Sequence, residues 1–161
     1  MNPAIGKLNL LLAAAAPALS AIEQPRRAPA PGKWSQAQEL GHLIDSAINN
    51  YRRLILAQTQ DRPLFEPYGQ DAWVAMGAYD QADWADLVSL WLLLNRQILR
   101  IALEVAPEGW HRSCRTAWQL AGGQSGEITL SDLFQDYVAH AEHHVAHILG
   151  HEAFAQAQGG R

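Results

Sequence analysis

The chain has 161 residues, of which 48% are hydrophobic and 17% charged. This length suits a single domain, and the apolar content excludes an intrinsically disordered chain. The formal net charge of -4 excludes the broad basic surface that nucleic-acid binding requires, and a lone cysteine excludes an intrachain disulfide. We predict a packing role for that residue, Cys114, because no reactive motif flanks it.

The N-terminal segment supports two interpretations. Residues 7–21 carry one lysine, a short apolar run and an Ala-Leu-Ser-Ala ending, which is typical of a secretory signal. Asn9 and Pro17 interrupt the run, and the same residues suit a first core helix that ends before Pro25. No apolar run reaches the roughly 20 residues that span a bilayer. We therefore expect no membrane partner and a cytoplasmic protein that begins at Met1.

A long second helix is predicted after a proline-rich loop at 24–32. Ser35 and Gln38 form a capping-box pattern at its start. Apolar residues at three- and four-residue steps predict one buried face, made of Leu40, Leu43, Ile44, Ala47, Ile48, Tyr51, Leu54 and Ile55. The opposite face carries His42, Asp45, Ser46, Asn49 and Arg53. That face is either a solvated stripe or the polar wall of a cleft, in which Asp45, Asn49 and Arg53 would orient groups around His42.

Two further helices complete the predicted bundle. One begins near Asp83 and runs to Val105, and the other begins with a capping-box pattern at Thr129 and ends at Gly150. The glycine- and proline-containing stretches 63–69 and 122–126 are predicted to be irregular. The result is an all-α, four-helix bundle with long connecting loops, formed by a single domain over 1–152 and followed by a flexible tail over 153–161.

Most of the histidines of the chain lie in or next to the last predicted helix. It holds His140, His143, His144, His147 and the adjacent His151. Residues four apart share a helix face, so each pair with that spacing could hold one ion. At about 100° per residue, His144 lies nearest the apolar side with His140 on its flank, while His143 points away. The pair His140 and His144 is therefore favoured, and another helix must supply a third ligand.

Several motifs occur together along the chain: Trp34-Ser35, Gly-His42-Leu-Ile-Asp-Ser46, Asn49-x-Tyr51-x-Arg53, Pro67-Tyr68, Trp73 and His140-Ala-Glu-His-His144-Val-Ala-His-Ile148. From about 33 to 150 the chain resembles the DinB/YfiT-like superfamily, and 1–24 would be that family's first helix. The resemblance implies a DinB-type bundle that binds a divalent metal ion through His42, His140 and His144.

The resemblance also implies chemistry, since family members include thiol-dependent S-transferases and metal-dependent hydrolases. The first hypothesis is an enzyme that activates a small-molecule thiol against an electrophile; the alternatives are a hydrolase that uses water and a noncatalytic, stress-associated metal-binding protein. Zinc and nickel are the leading metals, with iron and manganese also open. A fourth ligand from His143, His147 or Glu142 and a homodimeric state are left open.

Overall fold

The computed structural model describes residues 2–159. Its helices are α1 (Pro3–Ser20), α2 (Gln36–Thr59), α3 (Gln70–Gly77), α4 (Trp84–Glu104), α5 (Leu130–Leu149) and α6 (His151–Gly159). Its strands are β1 (Leu64–Phe65), β2 (Ser113–Thr116) and β3 (Gly126–Thr129), and 3₁₀ turns cover Tyr79–Gln81 and Pro107–His111. The four long helices form the predicted bundle, so the all-α fold class is confirmed.

The helix starts follow the sequence signals. At α2, the Ser35 hydroxyl accepts from the Gln38 N–H at 3.2 Å, and the Gln38 side chain accepts from the Ser35 N–H at 3.0 Å. Thr129 and Asp132 form the same reciprocal pair at α5. These caps satisfy backbone donors that the first helical turn leaves without partners. The predicted starts of α2 and α5 are therefore confirmed.

The hydrophobic core lies between the four long helices, because α1 and α2 each pack against both α4 and α5. The largest side chains with almost no exposed surface are Leu8, Leu11, Leu19, Leu40, Leu43, Ile44, Trp91, Ile98, Leu130, Val138 and Val145. One buried polar contact crosses this core, where the Tyr137 hydroxyl donates to the Asn95 side-chain oxygen at 2.5 Å. Apolar burial thus joins all four long helices.

The first helix is part of this core. By length and composition alone α1 could cross a membrane, which corrects the expectation that no apolar run is long enough. A core helix of a folded protein passes the same test, and Leu8, Leu11 and Leu19 of α1 are completely buried in the bundle. Trp84 at the start of α4 also donates its indole N–H to the Leu19 carbonyl at 2.8 Å.

The burial of α2 differs from the prediction. Residues 37 and 39–47 are buried on every side of the helix, whereas the exposed fractions of Ile48, Tyr51 and Ile55 are 45%, 38% and 36%. The prediction that Ile48, Tyr51 and Ile55 are buried is therefore wrong, whereas Leu54 in the same half of the face is buried as predicted. The reason is that α5, α3 and the 3₁₀ turn at 79–81 pack against α2, and they cover the polar side that periodicity had assigned to solvent.

Short elements between the long helices were not predicted. β1 pairs with β2 in parallel, and β2 pairs with β3 in antiparallel orientation. Strands of two to four residues are too short to show an alternating pattern. Cys114 lies in β2 and is completely buried, as expected for a packing residue.

The C-terminal segment is helical rather than frayed over its described part. Gly150 has φ of 80°, a conformation that glycine tolerates best, and it separates α5 from α6. Phe154 of α6 is half-buried and packs against the core. The sequence analysis had counted this segment as a flexible tail, but the apolar contact of Phe154 holds 153–159 against the bundle as a helix. Positions 160 and 161 lie outside the described residues.

Candidate metal centre

Three histidines from two helices meet in the bundle. His42 of α2 and His140 and His144 of α5 have ligand atoms that all lie within 4.8 Å of one another, and we call them the histidine cluster. The Nε2 atoms of His42 and His140 are 3.0 Å apart. Two nitrogen ligands of one tetrahedral zinc ion lie about 3.3 Å apart. The geometry and the donor type therefore suit a divalent metal ion.

Each cluster histidine has an oxygen atom near its Nδ1. The Nδ1 of His144 lies 2.9 Å from a carboxylate oxygen of Glu39. The hydroxyls of Ser46 and Tyr68 lie 3.4 Å from Nδ1 of His140 and His42 respectively. The carboxylate acceptor at Nδ1 of His144 keeps the proton there and leaves Nε2 free to bind a metal ion, and a hydroxyl that accepts from Nδ1 of His140 or His42 would have the same effect.

Glu39 is the residue of this site that the sequence analysis missed. It is 6% exposed, and it accepts from His147 Nδ1 at 2.7 Å as well as from His144. Burial alone would raise the pKa of Glu39, but the hydrogen bonds from both histidines outweigh burial and lower it. The available signal was its spacing, because Glu39 precedes His42 by three residues and so shares its helix face.

Burial keeps two of the three cluster histidines, His140 and His42, uncharged. It lowers the pKa of His140 to about 3, and the nearby histidines act in the same direction. Burial also lowers the pKa of His42 to about 4. The rings of Trp34 and Tyr68 flank the His42 ring, with centroids at 5.3 Å and 6.4 Å. Both imidazoles are therefore neutral at pH 7, which is the form that binds metal ions.

The other predicted residues lie at the edge of the site or away from it. His143 is exposed, as predicted, and His147 is exposed but bonded to Glu39. Asp45 is buried, and its carboxylate accepts from the Tyr79 hydroxyl at 2.5 Å, while Asn49 donates to the Asp45 backbone carbonyl. Within residues 2–159, neither Asp45 nor Asn49 contacts the histidine cluster through a hydrogen bond.

A cavity of about 300 Å³ opens beside the cluster. It is lined by His42, Ser46, Asn50, Arg53, Pro67, Tyr68, Gln70, Trp118, Asp136, Tyr137 and His140. The polar face of α2 thus forms the wall of a cleft at His42, Ser46 and Arg53, which decides between the two interpretations of that face. A cavity of similar size between α1 and the 120–124 turn has no histidine in its lining.

Comparison with known proteins identifies the class. Residues 10–148 match the model of the DinB superfamily, and the chain belongs to this family. It is 30% identical over 117 residues to a candidate metal-dependent hydrolase of Oceanobacillus iheyensis, covering 73% of this chain and 64% of that protein. It is 28% identical to YfiT of Bacillus subtilis, another candidate metal-dependent hydrolase, covering 73% of this chain and 63% of YfiT. The chain therefore spans just under two thirds of these curated relatives.

Two solved structures share the fold. The structure of Bacillus subtilis YfiT, described as a probable metal-dependent hydrolase with an unusual four-helix bundle topology, superposes with a TM-score of 0.77 at 25% identity, covering 95% of this chain and 85% of YfiT. A mycothiol-dependent maleylpyruvate isomerase superposes with a TM-score of 0.69 at 16% identity, covering 91% of this chain and 59% of the isomerase. The second similarity shows the fold alone.

Proposed function

We propose that the protein is an enzyme that binds a divalent metal ion through His42, His140 and His144 and promotes attack of a low-molecular-weight thiol on a small electrophile. The observation that carries this proposal is that the cluster borders a cavity large enough for a small molecule. A purely structural zinc site would instead be closed by a fourth protein ligand. We propose zinc or nickel as the metal, a cytoplasmic location and a homodimeric state.

The residues around the cavity suit a thiol better than water as the nucleophile. A bound divalent ion would supply positive charge that lowers the pKa of an adjacent thiol or water. Among residues 2–159, Asp136 is the only carboxylate in the cavity lining, and its Oδ1 already accepts from the Ala121 N–H at 2.7 Å. Burial raises the pKa of Tyr68 to about 12, so its hydroxyl can donate a hydrogen bond but is a poor base at neutral pH. A thiol needs less help from a base than water does.

The reaction proposed is a substitution at carbon. The thiol sulfur forms a bond to the electrophilic carbon, the leaving group departs with the bonding electrons, and the thiol proton passes to water. His42, Tyr68 and Tyr137 form part of the cavity wall against which the reactants would lie. The sole cysteine, Cys114, is buried in β2, so the thiol comes from solution.

Hydrolysis is the second candidate, and the relatives named as candidate metal-dependent hydrolases favour it. In this reaction Asp136 would act as the base for water, because it lines the cavity one helical turn from His140. Asp136→Asn therefore separates the two reactions. It should leave thiol conjugation largely intact and reduce hydrolysis by a hundredfold or more, using about 10²–10⁴ as the contribution of a general base.

The test begins with elemental analysis of purified protein, followed by assays of the metal-loaded form. A panel of low-molecular-weight thiols is combined with a chloro-aromatic electrophile, and simple esters and amides are tested in parallel. His42→Ala, His140→Ala and His144→Ala should each lose most of the metal and the activity, whereas the exposed His143→Ala serves as the matched control. Cys114→Ser should remain active.

Each outcome has one interpretation. Metal-dependent thiol conjugation supports the proposal, and hydrolysis without conjugation supports the second candidate. A fully metal-loaded protein that performs neither reaction supports the noncatalytic alternative. Metal loss in His143→Ala equal to that in His144→Ala would overturn the ligand assignment.

A further inference from the structure

The far end of the cavity contains a buried cation. Arg53 lies about three turns after His42 on α2, and both side chains line the same cavity. Arg53 is only 7% exposed. Its guanidinium carbon lies 4.4 Å from the centre of the Trp118 ring, which is also part of the lining. The cavity therefore joins a histidine cluster at one end to an arginine stacked on an indole at the other.

This arginine has few protein partners. Its Nη2 donates to the Glu66 backbone carbonyl at 3.1 Å, and within residues 2–159 Arg53 forms no ion pair. Arg112 provides a contrast, because it donates to the carbonyls of Ala57 and Gln60 at the end of α2. A buried charge without a counterion is costly. The remaining N–H donors of Arg53 are thus available to a ligand in the cavity.

Among the described residues, the one carboxylate in the lining acts on the charge of Arg53 but makes no direct contact with it. Asp136 is held by the Ala121 N–H at 2.7 Å, and it is not ion-paired with Arg53 in the described part of the chain. Burial lowers the pKa of Arg53, while Tyr68 and Asp136 oppose that effect. A guanidinium is protonated throughout the physiological pH range. The position accordingly offers a planar cation with two adjacent donors, which matches the geometry of a carboxylate.

We propose that Arg53 and Trp118 form an anion subsite that binds the carboxylate of the small molecule whose reacting atom lies at the histidine cluster. This inference rests on the proposed function, because that function supplies the reacting end of the molecule. His42 and Arg53 are separated by roughly 16 Å along the α2 axis at their Cα atoms. Both side chains lean toward the N-terminus of the helix, and the gap is shortened only in so far as the longer Arg53 side chain reaches further than His42 in that direction. The substrate is therefore a carboxylate-bearing thiol or electrophile in which several bonds separate the acid from the reacting atom.

The subsite can be tested without any chemical reaction. Metal-free protein is titrated with hexanoate and with hexanamide, and binding is followed by NMR of the Trp118 indole N–H. Chelation prevents the carboxylate from binding a metal ion instead. Wild-type protein should bind hexanoate roughly tenfold more tightly than hexanamide, because a charge-assisted contact is lost in the amide.

Substitutions at Arg53 and at its neighbour Arg52 show whether the preference for the carboxylate depends on Arg53. Arg53→Gln should bind the two compounds equally, whereas the exposed neighbour Arg52 provides the matched control, and Arg52→Gln should keep the tenfold preference. Arg53→Lys, which keeps the charge but loses the planar fork, should show a reduced preference. Circular dichroism checks that each variant folds. If Arg53→Gln does not fold, the proposal is judged from the acid and amide affinities of wild-type protein and from the reduced preference expected of Arg53→Lys.

Failure of the subsite is distinguishable from failure of the proposed function. Equal binding of acid and amide by wild-type protein, or an undiminished preference in folded Arg53→Gln or Arg53→Lys, overturns the subsite even when thiol conjugation is observed. A carboxylate preference that depends on Arg53 supports the subsite even when metal-dependent conjugation is absent, and in that case only the proposed reaction fails. In the conjugation assay, comparing acids and amides of the thiol and of the electrophile shows which reactant carries the carboxylate.

Discussion

Glu39 should set the metal affinity of the site although it is not a metal ligand in our assignment. Its carboxylate accepts from His144 Nδ1 at 2.9 Å and from His147 Nδ1 at 2.7 Å. A hydrogen bond to a charged group contributes about 1.5–3 kcal/mol, and loss of such a partner of a ligating histidine typically weakens metal binding by about 10- to 100-fold. Glu39→Gln retains an acceptor without charge, so we expect about a tenfold loss. Glu39→Ala removes the acceptor, and we expect about a hundredfold loss.

The assay is competition for zinc between the protein and a chromophoric chelator. Glu142→Gln is the matched control, because Glu142 lies between His140 and His144 in the sequence but lines the cavity beside α1, and it forms no hydrogen bond within the described residues. Urea unfolding of the metal-free variants shows whether the fold survives. Wild-type affinity in a folded Glu39→Ala protein would refute the reasoning, and so would an equal loss in Glu142→Gln.

Three further predictions concern stability and reactivity. Gly41→Ala should lower the free energy of unfolding by about 1–3 kcal/mol, because an added Cβ would overlap the Tyr79 ring; Gly6→Ala, with open space around it, should instead raise stability by up to about 1 kcal/mol in the same urea titration. Burial raises the pKa of Cys114 to about 11, so at pH 8 it should react with iodoacetamide at least about a hundredfold more slowly in native than in unfolded protein. In metal-free protein, the cluster pKa values of about 4 and about 3 lie below the ordinary 6.5. Between these pH values the unfolded chain binds protons that the folded chain does not bind. The free energy of unfolding should therefore fall as the pH drops from about 6.5 to about 4, by at most about 1.4 kcal/mol per pH unit for each histidine. A urea midpoint that stays constant over this pH range would contradict the prediction.

Local signals predicted the long helices and part of the site. The capping boxes at Ser35 and Thr129 fix helix starts through contacts within a few residues, so the sequence alone reveals them. The pairing of His140 with His144 follows from the helical repeat. His42 required the family resemblance, because periodicity placed it on a face that could equally have been solvated.

Tertiary contacts account for what was missed. Glu39 has the sequence appearance of an ordinary acidic residue in a first helical turn, a position favoured by the helix dipole. Only the packing of α2 against α5 shows that it faces two histidines. The stacking of Arg53 on Trp118 is equally hidden, because Trp118 follows β2, and that strand is too short to be detected from its pattern.

The register between α2 and α5 explains why so many contacts converge at one place. The helices run antiparallel: Gln36 donates to the Ile148 carbonyl at 2.7 Å, Glu39 meets His144, and His42 meets His140. Each step toward the C-terminus of α2 is thus matched by a step toward the N-terminus of α5. A helix rotation or slide that displaced one contact would displace the others, because residues on one helix face move together. The bundle core therefore fixes the spacing of the histidine cluster, and an ion held by both helices would in turn stabilise their packing, since ligand binding to the folded state alone shifts the folding equilibrium toward it.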